Sequence, residues 1–229
     1  MRVVIISDTH NTLNKMTIPH GDVLIHCGDF CRAGTIEEVE RFNDEICKLQ
    51  HQYKIIVAGN HDVPFGNDGL LGRTLLSKEL IYLEDAAKEI DGIKFYGTPG
   101  QFLLRRFEKR ASPNILSRMA GLLTNTPHHE NRIWNSIPSD TDVLITHGPP
   151  YGILDQRAQG KHLGCEPLRL QLEKIQPKLH CFGHIHESYG HHRTSSTLHV
   201  NAAVVDEAYE PSNAPLVVEI NAEKAYLIP

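Results

Sequence analysis

The 229-residue sequence predicts an α/β fold in which two mixed β-sheets pack face to face and carry helices on their outer sides. Three observations lead there. Short β-branched apolar runs recur along the chain, and each ends in a polar motif. A helix opened by a capping box lies between two of those runs, and an Asp-Gly pair in mid-chain marks a hairpin and therefore an antiparallel element.

The first run, Val3 to Ile6, has the pattern of a strand buried on both faces and leads into Asp8-Thr9-His10. The second, Val23 to His26, precedes Gly28-Asp29, and the third, Ile55 to Ala58, precedes Gly59-Asn60-His61-Asp62. Between them Thr35 and Glu38 form a capping box for a helix from Ile36 to about Gln50, with Ile36, Val39, Phe42, Ile46 and Leu49 at helical spacing. Strand, helix and strand in that order give a parallel pair with a right-handed crossover. Ala87 to Ile90 and Ile93 to Tyr96 flank Asp91-Gly92 as a hairpin. Residues 101 to 136 read as irregular helices. Asp142 to Thr146 is a further buried strand before His147-Gly148-Pro149-Pro150, and a helix around Cys165 to Ile175 stops before Pro177. Leu179 to Phe182 ends at Gly183-His184-Ile185-His186, and short strands near 197–201, 216–220 and 225–228 complete a single domain over residues 1–229.

The composition is that of a folded chain, 40% hydrophobic and 22% charged, with no biased tract that would argue for disorder. A formal net charge of −5 argues against a surface built to coat nucleic acid. No apolar stretch is long enough to span a bilayer, and the run at Val3 to Ile6 is too short for a signal segment, so a cytoplasmic protein is expected. Five cysteines are expected as reduced thiols, with Cys27 and Cys31 as small buried hydrophobes. Fifteen histidines direct attention to metal ligands.

Asp8, His10, Asp29, Asn60, His147, His184 and His186 all follow buried strands, and ligands of open α/β sheets bind at the carboxyl ends of strands. Asp8 and His10 stand two apart, as do His184 and His186, a spacing that on extended backbone aims both side chains to one side. Asp29 is placed to bridge two ions. Carboxylate, imidazole and carboxamide donors suit Mn, Fe or Zn. Two such ions about 3.5–4 Å apart hold a hydroxide and clamp a phosphoryl group for in-line displacement. His61, beside Asn60, faces the same crevice and suits a general acid that protonates the leaving oxygen. Asp62 is expected to cap the following turn.

Together Asp8-x-His10, Gly28-Asp29, Gly59-Asn60-His61-Asp62, His147 and Gly183-His184-x-His186 resemble the signature of the calcineurin-like metallophosphoesterase superfamily. Residues 19–30, 142–150 and 182–187, with Phe42-Asn43-Asp44, Gly164-Cys165 and Val200-Asn201-Ala202, are similar to its brain-type, metallophosphoesterase-domain-containing subgroup. The resemblance implies an α/β/β/α sandwich. It implies one ion on Asp8, His10, Asp29 and His186, a second on Asp29, Asn60, His147 and His184, and His61 as the acid. It also implies phosphodiesterase activity on small substrates, cyclic nucleotides among them. Protein phosphatases of the superfamily carry an aspartate where this chain has Arg32, so Arg32 and Asn60 are expected to contact substrate and protein phosphatase activity is disfavoured. The alternatives are a phosphomonoesterase, a nuclease, for which only the cluster Arg105, Arg106, Lys109 and Arg110 speaks, and a non-catalytic scaffold. The expected partner is a small phosphoester, a nucleotide for example, with no membrane role.

Overall fold

The computed structural model describes residues 1–66, 70–99, 133–158 and 160–228. Its strands are β1 (Arg2–Ile6), β2 (Val23–His26), β3 (Tyr53–Ile56), β4 (Leu80–Tyr82), β5 (Ala86–Ile90), β6 (Ile93–Thr98), β7 (Val143–Thr146), β8 (Leu179–Phe182), β9 (Gly190–Arg193), β10 (Leu198–Asn201), β11 (Leu216–Ile220) and β12 (Ala225–Ile228). Among the described residues the helices are α1 (Ile36–Cys47), α2 (Leu70–Leu75) and α3 (Glu166–Ile175). The helices expected over 101–136 fall almost wholly outside the described residues, as does the arginine and lysine cluster.

One sheet runs β12-β11-β1-β2-β3-β4 and the other β5-β6-β7-β8-β10-β9. Each has four parallel strands, β1 to β4 in the first and β6, β7, β8 and β10 in the second, extended by antiparallel neighbours. The Asp91-Gly92 turn joins β5 to β6 with φ of 49° and 76°, the doubly positive φ that such a two-residue hairpin turn demands.

Side-chain alternation sorts the strands into layers. Val3 and Ile5 of β1, Val23 and Ile25 of β2 and Val143 and Ile145 of β7 pack between the sheets. Val4, Ile6 and Leu24 point the other way, under Val39, Phe42 and Ile46 of α1. On the far side Leu144 packs with Trp134 and with Leu168 and Leu172 of α3. The mixed sandwich with helices on both outer faces is therefore the fold that the sequence predicted. Because both faces of the central strands are covered, β1 and β7 read as near-continuous apolar runs, while β2, β3, β8 and β10 each admit a buried His or Lys.

The capping box forms as expected. Thr35 Oγ1 accepts from the Glu38 amide at 3.3 Å, and the Glu38 carboxylate accepts from the Thr35 amide at 3.2 Å and from Asn11 Nδ2 at 2.5 Å. The last bond ties the start of α1 to the loop after β1. The helix ends at Cys47, short of Gln50, and Ile36 in its first turn stays 41% exposed. β4 and β9 are edge strands that the sequence did not announce. β4 spans only three residues, and β9 reads Gly-His-His-Arg with no fully buried residue.

Three buried histidines make the fold acid-sensitive. His26 donates from Nε2 to Thr9 Oγ1 (2.9 Å) and accepts at Nδ1 from the Gly28 amide (3.2 Å). His180 pairs with His199, Nδ1 to Nδ1 at 3.3 Å, and with Thr146 Oγ1 at 3.0 Å. Burial pushes His26 and His199 down to about 3 and holds His180 well below the ordinary range, with the neighbouring His199 adding to it. Unfolded histidine takes a proton near about 6.5, so stability is intact above that pH and falls as the pH drops toward about 3. His26 and His199 are each expected to remove about 1.4 kcal/mol per pH unit in that window, with His180 acting in the same direction. Urea midpoints at pH 7, 6, 5 and 4 should fall steadily below about pH 6.5; a flat profile from pH 7 to 5 contradicts the assignment.

Candidate metal centre

β1 delivers Asp8 and His10, β2 Asp29, β3 Asn60, β7 His147, and β8 His184 and His186, each just past the strand's carboxyl end. The local backbone is not the extended one on which the sequence argument placed Asp8 and His10. Asp8, His10, Asp29 and His184 have φ of 57°, 39°, 57° and 71°. Such left-handed conformations are uncommon outside glycine, though Asp and His tolerate them better than most residues. They cost about 1–3 kcal/mol each and persist where surrounding structure enforces them. Here the loops hold one another. Asp8 N donates to Gly28 O (2.9 Å), His10 N to Asp29 O (3.1 Å), and His184 N to Asp8 Oδ2 (2.9 Å). Close stacking of the loops also requires glycine. A Cβ on Gly28 (φ 103°) would come within 2.7 Å of both Gly59 N and His147 Nδ1, and one on Gly183 would collide with the Asp8 carboxylate.

The side chains converge into three overlapping groups: Asp8 with His10 and His186, Asp29 with His147 and His184, and His10 with Asp29 and His61. Within each group one donor atom per residue lies within 4.8 Å of the others. Four imidazoles are oriented alike, with Nδ1–H donating to a backbone carbonyl: His10 to Cys31 O (2.8 Å), His61 to Arg32 O (2.6 Å), His147 to Cys27 O (2.9 Å) and His186 to Asp206 O (3.0 Å). That leaves Nε2 of each aimed inward, the arrangement by which proteins fix the tautomer of metal-binding histidines. His186 Nε2 lies 3.4 Å from Asp8 Oδ1, and His147 Nε2 lies 3.4 Å from Asp29 Oδ2 and 3.1 Å from Asn60 Oδ1.

This donor set fits divalent cations. The inward Nε2 of a neutral His147 faces two acceptors, Asn60 Oδ1 and Asp29 Oδ2, a conflict that a proton or a cation relieves. Burial pushes His147 down, but the charge of Asp29 and its hydrogen bond overcome that and raise it to about 9. Asp8 and Asp29, though burial pushes both up, are held well below the usual carboxylate range, Asp8 chiefly by the His186 imidazole beside it and Asp29 by the charge of His147. His184 is pushed down to about 3 by burial and then by His147. Buried Asp8 Oδ1 and Asn60 Nδ2 have no hydrogen-bond partner, which leaves one acceptor facing the centre and one amide donor available to a ligand.

His61 N donates to Asp29 Oδ1 (2.6 Å), and its Nε2 stands 3.9 Å from Asp29 Oδ2. Asp62 does not cap the turn that follows it. Its side chain makes no cap bond and reaches across instead, accepting from Asp29 N (2.8 Å) and Gly59 N (2.7 Å) at one oxygen and from Cys31 N (2.9 Å) at the other. Three amide donors converging on one fully buried carboxylate bind the loops after β2 and β3 together. Burial, and then the charge of Asp29, raise Asp62 above the ordinary carboxylate range. Arg32 is exposed, with its guanidinium carbon 4.9 Å from the centroid of the Tyr209 ring. A cavity of about 520 Å³ opens over the centre. Arg157, Glu187, Glu207 and Tyr209 line it beside the histidines, whereas Arg32 does not. None of these four was singled out in the sequence, because Arg157, Glu207 and Tyr209 sit on loops, Glu187 in the single 3-10 turn His186–Ser188, and only folding brings them together over the centre. Cys27 and Cys31 are free, fully buried thiols within the apolar clusters.

The sequence model of the calcineurin-like phosphoesterases matches residues 1–188. A UPF0046 protein of Caenorhabditis elegans is 36% identical over 233 residues, which cover 96% of this chain and 75% of that one. Metallophosphoesterase domain-containing protein 1 of Homo sapiens is 36% identical over 246 residues, covering 96% of this chain and 71% of its own length. A solved crystal structure, 15% identical, superposes with a TM-score of 0.62 over 99% of this chain and 98% of that one, a likeness of fold.

Proposed function

The chain belongs to the calcineurin-like phosphoesterase family, and on that premise we propose that it is a dinuclear-metal phosphodiesterase acting on small diesters, cyclic nucleotides among them. The observation that carries the reading is the donor group Asp8, His10 and His186 set beside the group Asp29, His147 and His184, with His10 Nε2 3.8 Å from Asp29 Oδ2 and the inward Nε2 of His10, His147 and His186 fixed by backbone carbonyls. Asp8, His10, Asp29 and His186 would hold one ion, and Asp29, Asn60, His147 and His184 the other. Nitrogen and oxygen donors without thiolate suit Mn, Fe or Zn. When bound, the ions supply Lewis-acid polarisation of the phosphoryl oxygens and an activated water. The chain's own residues supply the rest. His61, its Nδ1–H fixed on Arg32 O, presents Nε2 to donate a proton to the leaving oxygen. Asn60 turns Oδ1 toward His147 and leaves Nδ2, which has no partner, to donate to a phosphoryl oxygen.

Glu207 on the cavity wall, together with Glu187, whose charge Arg157 partly offsets at 3.1 Å, favours a diester, because a dianionic monoester is repelled more strongly than a monoanionic diester. The same carboxylates and the net charge of −5 disfavour a polyanionic strand. Buried Cys27, Cys31 and Cys181 are reduced thiols, in keeping with a reducing compartment such as the cytoplasm, and no helix among the described residues is long and apolar enough to cross a membrane. The test is turnover by the Mn-loaded protein of bis-p-nitrophenyl phosphate, p-nitrophenyl phosphate, a panel of cyclic nucleotides, and single-stranded RNA and DNA. Diesters are expected to be cleaved in preference, with the polymers left intact. Preference for the monoester would make the protein a phosphatase, and no turnover with any common divalent metal would overturn the reading.

A further inference from the structure

Resting on that phosphoester reading, we infer that Tyr209 forms a stacking subsite beside the metal centre, selecting substrates in which one ester arm carries a planar aromatic or heteroaromatic ring, with Arg32 as its buttress. Tyr209 lines the cavity above the centre, and its ring centroid is 6.3 Å from that of His61, 4.7 Å from His10 and 5.9 Å from His186. It therefore stands on the side from which His61 would serve the leaving group. The guanidinium of Arg32, 4.9 Å from the ring centroid, covers part of the ring without entering the cavity.

The backbone holds the ring in place at a cost. Tyr209 has φ of 65°, a conformation rare for so bulky a residue and found where structure enforces it. The enforcing turn is well bonded. Asp206 Oδ1 accepts from Ala208 N (2.8 Å) and Glu210 N (3.1 Å), and Asp206 O accepts from Tyr209 N (3.0 Å) and from Nδ1 of His186 (3.0 Å). One turn thus orients His186 and presents Tyr209. The remaining wall offers apolar surface from Leu163 and Ile185, while Arg157 is engaged by Glu187 at 3.1 Å. A cavity of about 520 Å³ has room for a ring together with a phosphoryl group. Its recognition of that ring rests on stacking, because the carboxylates of the wall offer an uncharged ring no ionic partner.

The test is calorimetric binding of phenylphosphonate and methylphosphonate to the Mn-loaded full chain, with metal content measured on each sample. The natural protein should bind phenylphosphonate roughly three- to tenfold more tightly than methylphosphonate, the worth of one aromatic pair. Tyr209→Phe should keep that ratio, Arg32→Ala should lower it, and Tyr209→Ala should bring it below about twofold with metal content and methylphosphonate affinity retained. Tyr209→Ala that keeps the ratio, loses both ligands equally, or loses metal would overturn the inference and leave Tyr209 as a prop for His10 and His186. Equal affinity of the natural protein for the two phosphonates would overturn it as well. Binding of neither would overturn the phosphoester reading itself, and the inference with it.

Discussion

Asp29→Asn is expected to leave a folded protein that holds neither divalent ion tightly and has lost about 10³-fold or more in diester turnover. Asn has the size of Asp and keeps an oxygen that can accept from His61 N, now 2.6 Å from Asp29 Oδ1, so the loops retain their anchor. The other carboxylate oxygen lies 3.4 Å from His147 Nε2, 3.8 Å from His10 Nε2 and 3.9 Å from His61 Nε2. In the variant an NH₂ group takes that position, so the centre loses its shared anion and turns a donor toward the cation sites. Both ions lose a shared negative ligand in one step. Metal-ion catalysis supplies several kcal/mol of charge stabilisation, and each 1.36 kcal/mol is about a factor of ten in rate, from which the expected loss follows. Metal content and turnover measured on one sample check it. A variant that retains two ions and most of its rate would remove Asp29 from the centre of the mechanism.

His61→Ala is expected to separate chemistry from metal binding. A positioned acid contributes about 10²–10⁴-fold, so hydrolysis of an alkyl diester should fall in that range, and p-nitrophenyl esters, whose leaving group needs no proton, should lose far less. Metal content should stay at the natural level. His61 also belongs to a donor group with His10 and Asp29, so the same variant tests the competing role directly. If it empties the site, His61 is a ligand and not the acid.

Most of the framework was legible because its signals are local. β1, β2 and β7 are apolar along most of their length, with 0% exposure at Val4, Leu24 and Leu144, and a strand covered on both faces shows that in its sequence. The Asp91-Gly92 turn and the Thr35–Glu38 box were legible because turn and cap chemistry demand particular residues at fixed offsets. β4 was not, because three residues are too few to show a period, and β9 was not, because an exposed edge strand needs no apolar face and takes its pairing from a neighbour. At the centre, the seven candidate ligands and His61 announced themselves as polar residues set directly after buried strands, and folding gathers them. The reason offered for their convergence did not hold, because alternation on extended backbone was replaced by left-handed φ at Asp8, His10, Asp29 and His184. Nothing in an isolated Asp says that its carboxylate will collect three amides from two loops, as Asp62 does, or that Tyr209, some 23 residues beyond His186 in sequence, will pack against it.

Two cation sites joined through Asp29 should reveal themselves in a calorimetric titration of chelator-stripped protein with Mn²⁺ near pH 7.5. Two ions per chain are predicted, with proton release on binding, because His147, raised to about 9, must lose its proton to bind metal. The apparent affinity should accordingly fall as the pH is lowered. Saturation at one ion per chain or fewer, with no proton released, would contradict the account.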